Sequence, residues 1–453
     1  MPGWMAREKR ESMDRSMHRK PFGTRHLTRR QFSWLGAGAA TALSIPLVGA
    51  PSRTFAAAAQ ASSLSGTVTQ WCYPLASSGD QADDESLWKG LADEFSSANP
   101  NVQVSVEVLP WKDRNDKLTT ALAAGAGPDV AYLNADLLPQ HASDGSLVSL
   151  DDVVGGDTDF LENAKTNLTY DGTLYAAPIL GTVTSAVFNT KVFEAAGVTE
   201  YPTTWDEMLA IGPQIRDAGY LLTSYAGALE QSLNLTYFPL LWQAGGEVVN
   251  EDGTAAAFNS AEGLDALNFV VTLFNEKFTD LDEGVTAPPA DGGVVMDGKV
   301  AVLMAGEAGG VKRYEAGAWG AGSAKITAPL TRKVSTSYGT TAGFSVFKDA
   351  KNVDAAKAWV TFITEAPQME EILKIGGFMP TRTSLGDMYA DDPIVSAFQQ
   401  YMPKMHGDIR NRSARQIIST VAPYIQAAFL GKQSPEDALA EAESDVNRLL
   451  ARN

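Results

Sequence analysis

The fold is constrained most by residues 170–193, an apolar stretch that is broken in its middle. Near its start, Asp171 and Gly172 form a tight-turn pair, since glycine tolerates the positive φ angle that such turns need. Pro178 and Gly181 then interrupt the apolar run, so the stretch does not have the pattern of one regular strand. We predict that the chain leaves one lobe here and enters another.

The region before this stretch alternates between strand-like and helix-like patterns. Strands are predicted at 68–73, 102–108 and 130–133, and helices at 86–97 and 116–124. Strand–helix–strand units at this spacing indicate a parallel sheet in an α/β protein. At 453 residues the chain is too long for one ordinary core, so we expect two lobes.

Polar and aromatic residues follow each of these three strands. Ligands of open α/β sheets bind outside the carboxyl ends of the strands. The segments that follow the strands here are 71–80, 110–113 and 134–136. Their aromatic, carboxylate and amide side chains indicate a binding site, although acidic loops are also ordinary solvated surface.

The N-terminus has the pattern of a targeting segment. Residues 1–30 contain nine Lys/Arg and three Asp/Glu, and they end near the twin-arginine pair Arg29-Arg30. An apolar Gly/Ala-rich stretch and a run of small residues, 56–59, follow. We therefore predict that residues 1–59 are a twin-arginine signal peptide, and that the protein is exported.

The charge balance argues against two classes of partner. Without its first 59 residues the chain has 26 basic and 51 acidic residues, compared with 36 and 54 in the full chain. A net charge near −25 repels nucleic acid and anionic lipid, so we expect neither as a partner. Cys72 is the only cysteine, which excludes an internal disulfide, and its context favours a buried strand thiol.

The second half of the chain supplies further elements and two more crossovers. An aromatic helix is predicted at 235–243, and a strand at 300–304 runs into a glycine-rich segment, 305–310, that we expect to be flexible. Residues 339–344 have the pattern of a second crossover between lobes, and a resemblance to a known family implies a third at 376–381. Helices are predicted at the end of the chain, at 393–406, 413–430 and 434–451.

A set of short motifs, in this order, resembles the extracellular solute-binding proteins of ABC transporters, the family that includes the maltose-binding proteins. The motifs span about residues 66–450 and are Gly127-Pro128-Asp129, Tyr170–Tyr175 with Pro178, Asn189 with Lys191, Thr203–Glu207, Gly245-Gly246, Gly298–Ala301, Gly376–Arg382, Gly431 and Ser434–Ala438. One departure is Phe188, where the family usually has Tyr.

The resemblance implies a periplasmic-binding-protein fold. Each of its two lobes would be a mostly parallel sheet flanked by helices, with the ligand cleft between the lobes. The first lobe would comprise residues 60–180 and about 343–377, and the second lobe residues 181–342 and about 380–453. Pro178 and Gly181 would then belong to the first of three hinge crossovers, with Gly181-Thr182 at the cleft floor.

Candidate ligand-binding residues lie at predicted strand ends, helix starts and crossovers. They are Tyr73, Asp80, Trp111, Asn134, Asp136, Thr182, Phe238, Trp242, Glu307, Tyr338, Thr340, Phe378 and Arg382. Aromatic rings can cover the apolar C–H face of a sugar, while carboxylates, amides and arginines pair its hydroxyls. Packing in a core is the alternative for the aromatic residues, and an ion pair is the alternative for Arg382.

For some of these residues the resemblance implies a role. Asn134 and Asp136 fall where the family contacts sugar hydroxyls, and Phe238 falls at an aromatic platform. Thr182 replaces a carboxylate of the maltose binders, which argues against maltose itself. Glu307 follows Gly306, where the family commonly has Trp, and this indicates a smaller or more polar subsite.

The sequence lacks the signatures of common enzymes. After residue 59 the only histidines are His141 and His406, and no metal-ligand spacing, P-loop or nucleophile elbow is present. We predict no enzymatic activity, cofactor or metal. The expected function is binding of a di- or oligosaccharide by a monomer outside the cytoplasm, periplasmic or at the cell surface, for the permease subunits of an ABC importer. A receptor for glycerol phosphate or another polar solute, using Arg382 or Arg410 and Arg412, and an exported glycoside hydrolase are the alternatives.

Overall fold

The computed structural model describes residues 64–229, 233–285 and 293–452, apart from the Glu283 side chain. The predicted signal peptide, residues 1–59, lies outside this part of the chain. Among the described residues, no helix is both long enough and apolar enough to cross a membrane.

The described residues form twelve strands and sixteen α-helices. The strands are β1 (Gly66–Cys72), β2 (Val102–Val108), β3 (Val130–Asn134), β4 (Thr169–Tyr170), β5 (Thr173–Leu174), β6 (Ala177–Val183), β7 (Ser185–Asn189), β8 (Leu221–Thr223), β9 (Val300–Gly306), β10 (Ala324–Thr327), β11 (Ser337–Val346) and β12 (Met405–His406). The helices are α1 (Gln81–Ala98), α2 (Arg114–Ala123), α3 (Leu138–Ser143), α4 (Glu162–Asn167), α5 (Thr190–Ala196), α6 (Trp205–Asp217), α7 (Tyr237–Gln243), α8 (Ala261–Asn275), α9 (Leu281–Val285), α10 (Gly293–Met296), α11 (Ala308–Ala316), α12 (Val353–Ile363), α13 (Ala366–Gly376), α14 (Pro393–Gln399), α15 (Ala414–Phe429) and α16 (Pro435–Leu450).

The first sheet has the order β12-β11-β3-β1-β2, and β6 also pairs with β11. Strands β1, β2 and β3 are parallel, as the strand–helix–strand pattern predicted, whereas β11 is antiparallel to β3 and β6. Helices α1 and α12 pack on this sheet through Trp88 and Trp359, and the Trp359 Nε1 donates a hydrogen bond to Gln70 Oε1 at 2.6 Å. Cys72 is a buried free thiol at the end of β1.

The second sheet has the order β10-β7-β9-β8 and a core of its own. Only β8 and β9 are parallel, since β7 runs antiparallel to both β9 and β10. The α/β class is therefore confirmed, but the prediction of a mostly parallel sheet applies to β1–β3 and not to this sheet. The antiparallel direction of β7 arises because it continues directly from the crossover strand β6. No helix between the two strands reverses the direction of the chain.

The three predicted crossover segments lie side by side. In the β6–β11 ladder, Thr182 is paired with Thr340 and Gly181 with Thr341. On its other edge, Gly181 exchanges two backbone hydrogen bonds with Met379, both of 2.9 Å. Segments that are almost 200 residues apart in the sequence thus form one narrow strip of backbone in the first sheet, and from it β6 continues into β7 of the second sheet.

The glycine-rich segment after β9 is ordered, contrary to the expectation of a flexible loop. Strand β9 continues to Gly306, and α11 begins at Ala308. A Cβ atom on Gly306 would lie 2.5 Å from Val187 Cγ2, so glycine allows a close approach of β9 to β7 here. The predicted helix 393–406 is also shorter, because α14 ends at Gln399 and a 3₁₀ turn at Met402–Lys404 follows.

Candidate ligand-binding cleft

A cavity of about 460 Å³ opens beside the strip of crossover segments, and we call it the cleft cavity. Its wall on the side of the first core includes Trp111 and Asn134, and its opposite wall is the β9–α11 junction. Gly181, Thr182 and Thr340 line it from the crossovers. The cavity is thus built where the carboxyl ends of β3 and β9 face the hinge, as expected for an α/β sheet.

Seven of the thirteen candidate residues line the cleft cavity. They are Trp111, Asn134, Thr182, Glu307, Tyr338, Thr340 and Phe378. These residues come from β3, β6, β11, the β9–α11 junction and the loops that follow β2 and α13. Their assembly from six distant segments shows that the chain is folded around this cavity.

The aromatic surface of the cavity is Trp111. This side chain is 40% exposed and stacks on Tyr73 with ring centroids 4.9 Å apart and an interplanar angle of 29°. Its Nε1 donates a hydrogen bond to the Pro74 carbonyl at 3.0 Å. Tyr73 itself is buried, so it supports Trp111 from behind and does not line the cavity. One indole face is therefore fixed towards a ligand.

The guanidinium of Arg114, at the first position of α2, lies over the same aromatic pair. Its Cζ is 4.4 Å from the centroid of Trp111 and 5.4 Å from that of Tyr73. Burial, and then the positive charge of Arg415, lower the pKa of Arg114. The sequence analysis did not identify Arg114, although its position three residues after Trp111 at a predicted loop–helix junction was the available signal.

A polar cluster closes the cavity on the hinge side and is formed by the buried residues Asp136, Asp408, Tyr338 and Thr340 with the partly exposed Arg415. Arg415 Nε lies 2.7 Å from Asp136 Oδ2, an ion pair whose geometry is not that of an aligned hydrogen bond. Asp408 accepts a hydrogen bond from the Tyr338 hydroxyl at 2.7 Å and another from Thr340. The cluster thus connects the loop after β3 to β11 and α15.

Burial, and then the nearby charge of Asp136, raise the pKa of the Asp408 carboxyl to about 7. Burial also raises the pKa of Tyr338 well above its ordinary value. Asp408 was not among the candidate residues, and its partners Tyr338 and Thr340 are 70 and 68 residues away in the sequence. No local pattern marks such a carboxylate.

The other candidate residues are in different surroundings. Asp136 is buried in the polar cluster behind Arg415. Asp80 is exposed and caps α1, where its side chain accepts a hydrogen bond from the Ala82 amide. Phe238 is fully buried in the second core, and Trp242, also buried, stacks on His406 with centroids 4.0 Å apart.

Arg382 is likewise outside the cavity. It forms ion pairs of 3.0 and 3.1 Å with Asp157 and Asp159 and donates a hydrogen bond to the Thr364 carbonyl at 2.6 Å. Besides Arg114, the residues that line the cavity but were not identified from the sequence include Ser77, Tyr132, Thr184, Arg313 and Arg415. Their contributions depend on contacts between segments that the sequence pattern does not connect.

The cavity offers hydrogen-bond donors, acceptors and aromatic side chains, of which Trp111 is the most exposed, but little reactive chemistry. Within residues 64–229, 233–285 and 293–452, no group of three or more His, Cys, Asp or Glu side chains could hold a metal ion. Burial raises the pKa of the Cys72 thiol, which disfavours the thiolate. His141 and His406 are not among the cavity residues. The arrangement is suited to recognition of a polar molecule.

Residues 78–370 match the model of the bacterial extracellular solute-binding protein family. The diacetylchitobiose binding protein DasA of Streptomyces coelicolor is 26% identical over 400 residues, which cover 85% of this chain and 90% of the relative. A binding protein of Brucella abortus is 24% identical over 368 residues, or 79% of this chain and 88% of the relative.

Among solved structures, the GacH receptor of Streptomyces glaucescens superposes with a TM-score of 0.74 and 23% identity. The match covers 86% of this chain and 99% of the receptor. That receptor has been crystallised without ligand and with acarbose. The structural likeness confirms the two-lobed periplasmic-binding-protein fold.

Proposed function

The chain belongs to the family of bacterial extracellular solute-binding proteins, and we propose that it captures a di- or oligosaccharide and delivers it to an ABC importer. The observation that carries this proposal is the exposed, fixed face of Trp111 in a cavity with hydroxyl-pairing groups on its other sides. The relatives named for diacetylchitobiose and for acarbose binding support a saccharide as the ligand.

Recognition would combine stacking with hydrogen bonds. The indole of Trp111 would cover the C–H face of one sugar ring, while Asn134, Thr182 and Glu307 pair its hydroxyls. Each matched hydroxyl contributes about 0.5–1.5 kcal/mol, and more where one partner is charged. The Asn134 Oδ1 is buried and has no hydrogen-bond partner among the described residues, so a ligand hydroxyl would satisfy it.

Delivery would depend on hinge closure. The two walls of the cavity belong to different cores, and the strip formed by β6, β11 and Met379 joins them. A ligand that contacts both walls binds the closed form better than the open form and shifts the population towards it. The permease would then recognise the surfaces of both lobes in the relative position that they have in the closed form.

The remaining features of the proposal follow from the sequence. Export by the twin-arginine route would place the protein in the periplasm or at the cell surface, and we expect a monomer without catalytic turnover. The alternative of a glycerol-phosphate receptor relied on Arg382, Arg410 and Arg412, none of which lines the cleft cavity. Arg410 and Arg412 instead line a separate groove beside Trp242 and His406.

Isothermal titration of the mature protein against a panel of di- and trisaccharides tests the proposal, together with small-angle scattering for compaction. We expect saturable binding of at least one sugar and a smaller radius of gyration when it is bound. Replacing Trp111 with Ala should weaken that binding by about 10- to 100-fold and change stability little, because the indole is partly exposed. Absence of both binding and compaction across the panel would contradict the function.

A further inference from the structure

The three arginines that line the cleft cavity are unequally paired. Arg415 contacts Asp136, and Arg313 acts electrostatically on Glu307 in the opposite wall. Arg114 forms no ion pair within 4.0 Å and no hydrogen bond to any residue that the structure describes, and its only recorded contacts are with the ring faces of Trp111 and Tyr73. Arg114 and Arg313 thus have no anion in contact among the described residues, but Arg313 and Glu307 attract each other, whereas Arg415 repels Arg114 more strongly than Asp136 attracts it.

The two carboxylates on the Arg114 side of the cavity, Asp136 and Asp408, are already engaged, in contrast to Glu307 on the opposite wall. Asp136 is in contact with Arg415, and Asp408 accepts hydrogen bonds from Tyr338, Thr340 and Asn234. Because Asp408 is buried beside Asp136, it is also partly protonated at neutral pH. The wall formed by Arg114 and Arg415 is therefore positive, in a chain whose formal net charge is −18.

Two helix N-termini open on the same cavity. Helix α2 begins with Arg114 and α11 with Ala308, and in neither helix does a side chain cap the first turn. Free N–H groups at a helix start carry partial positive charge and favour negatively charged groups. On the Arg114 side, the backbone at the start of α2 and the two guanidinium groups thus favour the same type of ligand, whereas on the opposite wall the carboxylate of Glu307 precedes α11.

From these contacts we infer that the solute is an acidic saccharide, whose anionic substituent lies between Arg114 and Arg415 while its ring stacks on Trp111. This inference rests on the proposed function and specifies its substrate class. A uronate carboxylate and a phosphate ester share the required chemistry, since both accept hydrogen bonds from guanidinium groups. The hydroxyls of the sugar would face Glu307 on the opposite wall.

In this arrangement the charge of the ligand would also affect closure of the hinge. Arg114 begins a helix of the first core and Arg415 belongs to α15 of the second core. The two guanidinium groups repel each other, and repulsion from Arg415 affects Arg114 more strongly than attraction from Asp136 does. An anion between them removes this repulsion, so an acidic sugar would favour closure more than its neutral counterpart does.

Titration calorimetry with matched sugar pairs tests the inference. The pairs are galactobiose with digalacturonate, cellobiose with cellobiuronic acid, and maltose with maltose 6′-phosphate. We expect at least one acidic sugar to bind tenfold or more tightly than its neutral partner, with an affinity that falls between about 20 and 300 mM salt. The uronates and the phosphate ester distinguish the two sources of the anion.

Variants at the N-terminus of α2 provide the controls. Arg114→Gln should abolish the preference for the acidic sugar and its salt dependence, and Arg114→Lys should retain part of both. Lys112→Gln removes one positive charge from an exposed residue of the same loop, outside the cavity, and should leave the preference unchanged. Circular dichroism verifies that each variant is folded, and the salt dependence of the wild type is a readout that needs no variant.

The outcomes separate this inference from the proposed function. Binding of neutral sugars as tightly as their acidic partners, or an unchanged preference in folded Arg114→Gln, overturns the inference and leaves the saccharide-binding function in place. Absence of binding to every sugar of both classes overturns the proposed function and the inference together.

Discussion

Arg114 and Arg382 have opposite surroundings, although both are substantially enclosed by the protein. Arg382 contacts two carboxylates and one carbonyl, and its Cζ lies 3.9 Å from the centroid of the Phe160 ring. Arg114 lies against two aromatic faces, has no carboxylate in contact among the described residues, and lines the cavity. The comparison shows that the function of an arginine depends on whether the protein already supplies its anion.

The comparison predicts its largest effect for Arg382→Met. This change leaves Asp157 and Asp159 without their cation and should lower the free energy of unfolding by about 3 kcal/mol. Urea denaturation followed by circular dichroism measures the loss, and sugar affinity per folded molecule should not change. Arg448→Met, at an exposed arginine that pairs with Asp445, is the matched control and should alter stability by about 0.5 kcal/mol or less. Lost affinity at full stability would place Arg382 in the binding site instead.

Asp408 provides an intermediate case, because it is hydrogen-bonded but lies close to a second carboxylate. Its pKa is about 7 in the folded protein, above that of an exposed aspartate, since burial and Asp136 disfavour its charged form. The folded state therefore holds a proton that the unfolded state has released, and this contribution to stability is lost as the pH rises through about 7.

We expect the free energy of unfolding of the wild type to fall by about 2 kcal/mol, relative to Asp408→Asn, between pH 4 and pH 6. Denaturation of both proteins at closely spaced pH values measures this difference, and the subtraction removes the contributions of carboxylates that do not interact with Asp408. A stability difference that does not vary over this pH range would show that Asp408 has an ordinary pKa.

The sequence predicted the parts of the site that depend on local pattern. Trp111 and Asn134 were identified because they follow predicted strands, whereas Thr182 was identified through the family resemblance, at the crossover that Pro178 and Gly181 mark. The surroundings of Arg382 were not predictable, since its partners Asp157 and Asp159 are 225 and 223 residues away. Phe238 illustrates the same limit, because an aromatic residue at a helix start can face either a ligand or a core, and here it faces the core.

The two sheets also differ in how far the sequence predicts them. The parallel order of β1, β2 and β3 follows from strand–helix–strand spacing, which a sequence displays directly. The antiparallel pairing of β7 with β9 and β10 depends on how the chain enters from the hinge, and the sequence displays only the interruption at Pro178 and Gly181. Local periodicity therefore predicts elements, while the connections between lobes determine their direction.

Thr182 both contacts a protein group and faces the cavity, and we expect the smallest effect for its replacement. Its hydroxyl accepts a hydrogen bond from the Thr340 amide at 3.2 Å, like a structural group, but it also lines the cleft cavity. If the hydroxyl also pairs with the ligand, Thr182→Val should weaken sugar binding by about 0.5–1.5 kcal/mol in addition to its cost in stability. Thr182→Ser keeps the hydroxyl and should bind nearly as the wild type does, which calorimetry with the same sugar measures. Equal affinities of the Val and Ser variants would assign Thr182 to the hinge alone, because only a hydroxyl that contacts the ligand separates them.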